Sequence, residues 1–261
     1  MRSTIAVFGA ALCLTLACGS AAQSPVRTGY LIGREPDTLA ILPPAPSSGS
    51  TLDKADRAIF IATRTLKDTP RWALAKNDVQ ISMADLLRDF SCSTGVKLDE
   101  KSAPTLSALL KRIIPDMVSA YGVPKDTYKR PRPYLRDEGA ICVDRSDVLN
   151  KSWDYPSGHA TFAWTIGLIL AELTPDRAGL ILARARAYGE SRAVCGVHSA
   201  SAITEARTAG SALVAALHGD ATFRVDMETA RSEMAHLHAT QPSEEPKICE
   251  AEAALTAKAP W

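Results

Sequence analysis

The amino-acid sequence predicts an all-α, single-domain helical bundle. Three observations carry that expectation. Apolar residues recur at three- and four-residue steps over long segments. No segment sustains the apolar–polar alternation of a sheet. The breaks between helical segments hold proline, threonine, serine or aspartate where helices start. A chain of 261 residues can bury a full core.

Residues 1–22 come first and do not belong to that bundle. Arg2 is their one charge, "IAVFGAALCLTLA" is an apolar stretch, and Ser20 and Ala22 are small residues suited to cleavage. The segment reads as a secretory signal cut after Ala22, which sets the protein in the periplasm or outside the cell. Acylation at Cys18 is the alternative, although Thr15 and Leu16 fit a lipidation site poorly. Residues 23–50, with "AILPPAPSSGS", lack periodicity and read as a proline-rich extended arm lying over the domain.

The helical domain is expected over residues 51–240. Leu106, Leu109, Leu110, Ile113, Ile114, Met117, Val118 and Tyr121 make one broad apolar face, kinked at Pro115. A second helix runs from about Ala160 to Leu173. Thr174 and Pro175 supply a cap and a first-turn proline for a third, "PDRAGLILARARAYG". A fourth begins near residues 199–201 and carries Ala209, Ala212, Leu213, Ala216 and Leu217, and a fifth runs from Asp220 to about His238. Residues 241–261 read as a polar tail, loosely attached apart from Cys249.

Charge narrows the range of partners. Removing residues 1–22 takes away Arg2 alone, leaving basic side chains equal in number to the 29 acidic ones. That balance gives no footprint for nucleic acid. The longest apolar stretch after the signal, "TFAWTIGLILAEL", is too short to span a bilayer. Of six cysteines, Cys13 and Cys18 fall in the signal; Cys92, Cys142, Cys195 and Cys249 remain. None forms a C-x-x-C pair, so zinc is disfavoured, and in an oxidising compartment one or two disulfides are the plainer reading. Three complete pairings stay open.

Three clusters share one chemistry. In "KDTYKRPRP", Lys125 and Arg132 stand ahead of Pro133; alone, such a basic run is ordinarily a solvated face. In "DYPSGHATFAW", Ser157, Gly158 and His159 open a helix. Helix-mouth amides and the positive end of the helix dipole favour an anion, Ser157 adds a hydroxyl, and Gly158 leaves room for a ligand to approach the backbone. A tight turn would account for those residues taken singly. In "GESRAVCGVHSASA", Arg192 and His198 precede another helix. Three cations around one small site repel unless a multiply charged anion sits among them. A phosphate group fits, and two histidines can act as nucleophile and acid.

These clusters occur in the order K-x6-R-P, P-S-G-H and S-R-x5-H. In this the chain resembles the type-2 phosphatidic acid phosphatase and vanadium haloperoxidase superfamily, and more narrowly the bacterial class A non-specific acid phosphatases. "FSCSTGVKL", "LILAELTPDRAGLILARARAYG" and "AGSALVAALHGDATF" extend the similarity over roughly residues 30–235. The resemblance implies a secreted enzyme that hydrolyses small phosphomonoesters, releases inorganic phosphate and uses no metal or other cofactor. Lys125, Arg132 and Arg192 would hold phosphoryl oxygens with Ser157 and Gly158. His198 would attack phosphorus, and His159 would protonate the leaving alcohol and then activate water. Homo-oligomer formation stays open.

One position departs from the pattern, which continues S-R-x5-H-x3-D; here Ala202 stands in place of the aspartate. An alanine cannot accept the imidazole N–H that fixes the nucleophile's tautomer. Glu205 lies about 10 Å farther along the helix, leaving Ser201 or a backbone carbonyl as weak substitutes. The expectation is a slowed phosphatase that Ala202→Asp would quicken. The competing readings are a catalytically silent phosphate binder and a vanadate-dependent haloperoxidase.

Overall fold

A computed structural model describes residues 29–242 and 246–261. The signal read at 1–22, Cys18, and residues 23–28 of the arm lie outside them. The described residues form an all-α bundle without strands, apart from one isolated bridge between Val96 and Pro242. The α-helices are α1 Thr38–Ile41, α2 Thr51–Thr63, α3 Pro70–Asn77, α4 Met83–Thr94, α5 Pro104–Tyr128 and α6 Asp147–Lys151. They continue with α7 Gly158–Leu173, α8 Ala178–Val194, α9 Ala200–Leu217, α10 Ala221–Thr240 and α11 Pro246–Thr256. None is long and apolar enough to cross a membrane.

Helix α7 is the axis of the bundle. Its sequence is apolar nearly all round, and such a helix goes to the centre. Phe162, Ala163, Ile166, Ile169, Leu170 and Leu173 are buried, and α8 and α9 pack against it. Each of its large side chains removed from water contributes about 1.5–3 kcal/mol. Helix α5 closes the next side with Leu106, Leu109, Leu110, Ile113 and Met117. Pro115 sits inside α5, which runs on as one helix. The expected apolar face is narrower than the periodicity suggested, since Val118 is 43% exposed.

Helix starts follow side-chain chemistry. Ser157, Ser199 and Asp220 accept the N–H groups of Ala160, Ala202 and Phe223 at the mouths of α7, α9 and α10. Thr174 does not do this: its side chain makes no capping bond, and a short 3₁₀ turn, Pro175–Arg177, precedes α8.

Both ends of the domain are tied in more tightly than composition implied. Tyr30 and Leu31, in the arm, belong to the main core, and their N–H groups donate to the buried Asp116 carboxylate at 2.8 and 3.1 Å. The tail is not loose, because residues 246–256 form α11. A Cys92–Cys249 disulfide, an Arg184–Glu252 ion pair at 3.3 Å and an Arg186 bond to the Thr256 carbonyl at 2.6 Å dock it. A second disulfide joins Cys142 to Cys195.

Candidate active site

The end of α5, the loop ahead of α7, and the α8–α9 turn meet at one end of the bundle. The last turn of α5 carries Lys125, whose Nζ donates to the Trp153 carbonyl at 2.8 Å. Arg132 follows in the next loop. Its Nε and Nη2 donate to the carbonyl and hydroxyl of Ser152 at 2.8 and 2.9 Å, and Nη1 donates to the Val197 carbonyl at 2.7 Å. From α8, the buried Arg192 reaches the Asp78 carbonyl only weakly, at 3.4 Å, and its buried Nε has no hydrogen-bond partner. Among the described residues, none of these three cations forms an ion pair with a carboxylate.

The turn carrying His198 depends on Gly196, which adopts φ +82°, a conformation costly for any residue with a Cβ. Arg64 caps the end of α8 there, donating to the carbonyls of Ala193 and Val194 at 2.7 Å each. Beyond it, His198 is buried with both ring nitrogens engaged. Arg132 Nη1 lies 3.0 Å from Nε2, and the Asp154 carbonyl lies 2.6 Å from Nδ1. A guanidinium can only donate, so Nε2 is the acceptor and Nδ1 carries the proton. This tautomer leaves the Nε2 lone pair facing Arg132. Burial first, then Arg132, Lys125 and Arg192, hold the His198 pKa well below the usual histidine value.

His159, in the first turn of α7, has Nε2 3.1 Å from the Val79 carbonyl. Burial and Arg192 lower its pKa well below the usual value too. The α3–α4 loop therefore touches both His159, through Val79, and Arg192, through Asp78. Ser157 is fully buried; its N–H donates to the Ala202 carbonyl at 3.0 Å while its hydroxyl oxygen caps α7. Gly158 has a packing reason that the sequence did not show. A Cβ built there would stand 3.1–3.3 Å from the ring of Tyr121, so the glycine makes room for an aromatic side chain on α5.

Sequence reasoning missed Asp154, Arg130, Asp53 and Asp56. Asp154 Oδ1 lies 3.1 Å from His198 Nδ1 and accepts the Ser199 N–H at 2.9 Å. Its Oδ2 accepts the Ser199 hydroxyl at 2.6 Å and lies 3.4 Å from Arg130 Nη1. Arg130 is held in turn by Asp53 at 3.0 Å and Asp56 at 2.9 Å, both on α2. Burial pushes the Asp154 carboxyl up; Arg130 and the two Ser199 bonds oppose it. The signal was present in the quoted stretch: an acid two residues ahead of the P-S-G-H motif, and an arginine two residues before Arg132.

Comparison with known proteins follows the same residues. Residues 105–225 match the PAP2 superfamily. The chain is 40% identical over 217 residues to an acid phosphatase of Zymomonas mobilis, covering 83% of this chain and 82% of that one. It is 36% identical over 203 residues to a non-specific acid phosphatase of Providencia stuartii, covering 77% and 82%. A non-specific acid phosphatase of Salmonella typhimurium is 29% identical over 196 residues, covering 74% and 78%.

Proposed function

Because the chain belongs to the PAP2 superfamily, we propose that it is a secreted, metal-independent phosphomonoesterase of the class A non-specific kind, working through a phosphohistidine. The observation that carries this reading is Arg132 Nη1 at 3.0 Å from His198 Nε2, with Lys125 and Arg192 near enough to act electrostatically on the ring and all three unpaired with carboxylates among the described residues. Cations withdrawn from water and lacking counter-charges bind a compact dianion strongly.

The substrate's phosphoryl oxygens take the Arg132 Nη1–H that otherwise caps Nε2, together with donors from Lys125, Arg192, Ser157 and the Gly158 backbone. That exchange frees the nucleophile. Nε2 attacks phosphorus, an N–P bond forms, and the ester P–O bond breaks with its electron pair on the leaving oxygen. His159 supplies the proton to that oxygen. The bound dianion offsets the field of Arg192 and raises the His159 pKa, so the ring is charged when the acid is needed. With Nε2–H committed to Val79, Nδ1 is the nitrogen that exchanges this proton. In the second half, Nδ1 takes a proton from water, which attacks phosphorus; the N–P bond breaks and inorganic phosphate leaves.

The grip is on phosphate, so the alcohol is loosely specified. Three fixed cations do the charge stabilisation that a metal would otherwise do. The test is hydrolysis of p-nitrophenyl phosphate by the purified chain at acidic pH, with and without EDTA. Activity indifferent to EDTA and suppressed by vanadate is expected. Activity abolished by EDTA and restored by a divalent metal would overturn the reading.

A further inference from the structure

We propose that Asp154 is the positioning residue for the His198 nucleophile, supplying from the loop ahead of α7 what the family pattern supplies from position 202. The inference rests on the phosphohistidine reading above. Ala202 stands where an aspartate was expected, and an imidazole oriented weakly by Ser201 or a backbone carbonyl followed from that. The geometry places a backbone carbonyl at Nδ1 and a carboxylate beside it. Both the carbonyl oxygen of Asp154, at 2.6 Å, and its Oδ1, at 3.1 Å, face His198 Nδ1.

The two oxygens do different work. The carbonyl accepts the Nδ1–H hydrogen bond and so fixes the tautomer that leaves the Nε2 lone pair for phosphorus. The carboxylate adds a negative charge that grows in value as Nε2 bonds to phosphorus and the ring becomes positive. Neither oxygen is free to wander. The Asp154 N–H donates to the Arg130 carbonyl at 2.8 Å, and Ser199 holds both carboxylate oxygens through its N–H and its hydroxyl. Arg130 is anchored to α2 through Asp53 and Asp56, and Ser201 donates to Asp56 through its N–H at 2.8 Å and its hydroxyl at 2.6 Å. An acid in the loop therefore replaces an acid one helical turn beyond the nucleophile. Ala202→Asp no longer promises faster turnover, since Nδ1–H already has its acceptor.

The test is Asp154→Asn, which keeps the shape and the carbonyl and removes the charge. Turnover of p-nitrophenyl phosphate and, by calorimetry, the binding of vanadate and of inorganic phosphate are measured on both proteins. Vanadate bonds to the attacking nitrogen; phosphate does not. The expected result is a kcat at least about tenfold lower and vanadate binding weaker by a similar factor. Phosphate binding should change less than about threefold. Unchanged kcat and vanadate binding, or an equal loss for both anions, overturns the positioning role. A wild type that binds vanadate without turning over substrate strikes the phosphatase reading instead. Should Asp154→Asn not fold, nitrogen-15 spectra of the wild-type histidines decide: a His198 ring protonated at Nε2 in place of Nδ1 overturns the proposal. Ala202→Asp should leave kcat no higher, and a tenfold gain would contradict a satisfied Nδ1.

Discussion

Lys125 Nζ is held 2.8 Å from the carbonyl oxygen of Trp153, the residue directly before Asp154. A neutral acceptor compensates an ammonium only partly. Burial, and then the charge of Arg132, bring the Lys125 pKa down to about 7. At acidic pH the site holds three cations, and above neutrality Lys125 begins to lose its proton.

An acid preference follows from that titration together with a nucleophile that stays neutral at low pH. KM for p-nitrophenyl phosphate should rise several-fold between about pH 5.5 and about pH 8.5, with kcat less affected. In Lys125→Arg, whose charge does not titrate in this range, the rise should flatten. Steady-state kinetics across pH checks both, and an identical KM profile in the variant would assign the titration elsewhere.

The buried histidines also set how the fold responds to acid. His159 and His198 have pKa values depressed in the folded chain, so the unfolded chain binds protons first as pH falls. Their neutral forms cost nothing above the unfolded value near 6.5. Below it, unfolding free energy should drop, by up to about 1.4 kcal/mol per pH unit for each histidine until the folded pKa is reached. Urea unfolding at several pH values between about 6.5 and 5 measures the slope. His159→Gln should reduce it by roughly the share of one histidine.

The Cys142–Cys195 bridge closes a loop with a sequence separation of 53 and ends three residues before His198. The Cys142 N–H also donates to the Cys195 carbonyl at 3.0 Å. Replacing both cysteines by serine should cost about 2–5 kcal/mol of stability. Turnover should fall as well, because the α8–α9 turn loses an anchor. Thermal unfolding and kcat of the double variant check the two effects, and an unchanged Tm would contradict them.

Much of this was legible in the sequence, for physical reasons that differ by residue. Helices α5, α7 and α9 show themselves because their partners in the pattern are three or four residues away. Ser199 and Asp220 show themselves because capping is local. The docked α11 did not, because Cys92, Arg184 and Arg186 hold it across long sequence separations. Gly158 was noticed, but its packing against the ring of Tyr121 was not, since that ring lies on another helix. Spacing in the sequence marks Lys125, Arg132, Arg192 and His198 as candidates. The Asp154–His198 contact spans 44 residues and follows no helical period, so only the folded chain brings it into view.

The attack of His198 on phosphorus is the claim on which the account turns, and trapping the phosphoenzyme tests it most directly. His159→Ala, which lacks the group that activates water, is mixed with an activated phosphomonoester whose leaving group needs no proton, and the reaction is quenched in alkali to preserve a P–N bond. Peptide mass spectrometry then locates the phosphoryl group. The account predicts one phosphate on His198, and none when His198→Ala is added. A phosphoryl group on another residue, or one that persists after His198→Ala, would contradict it.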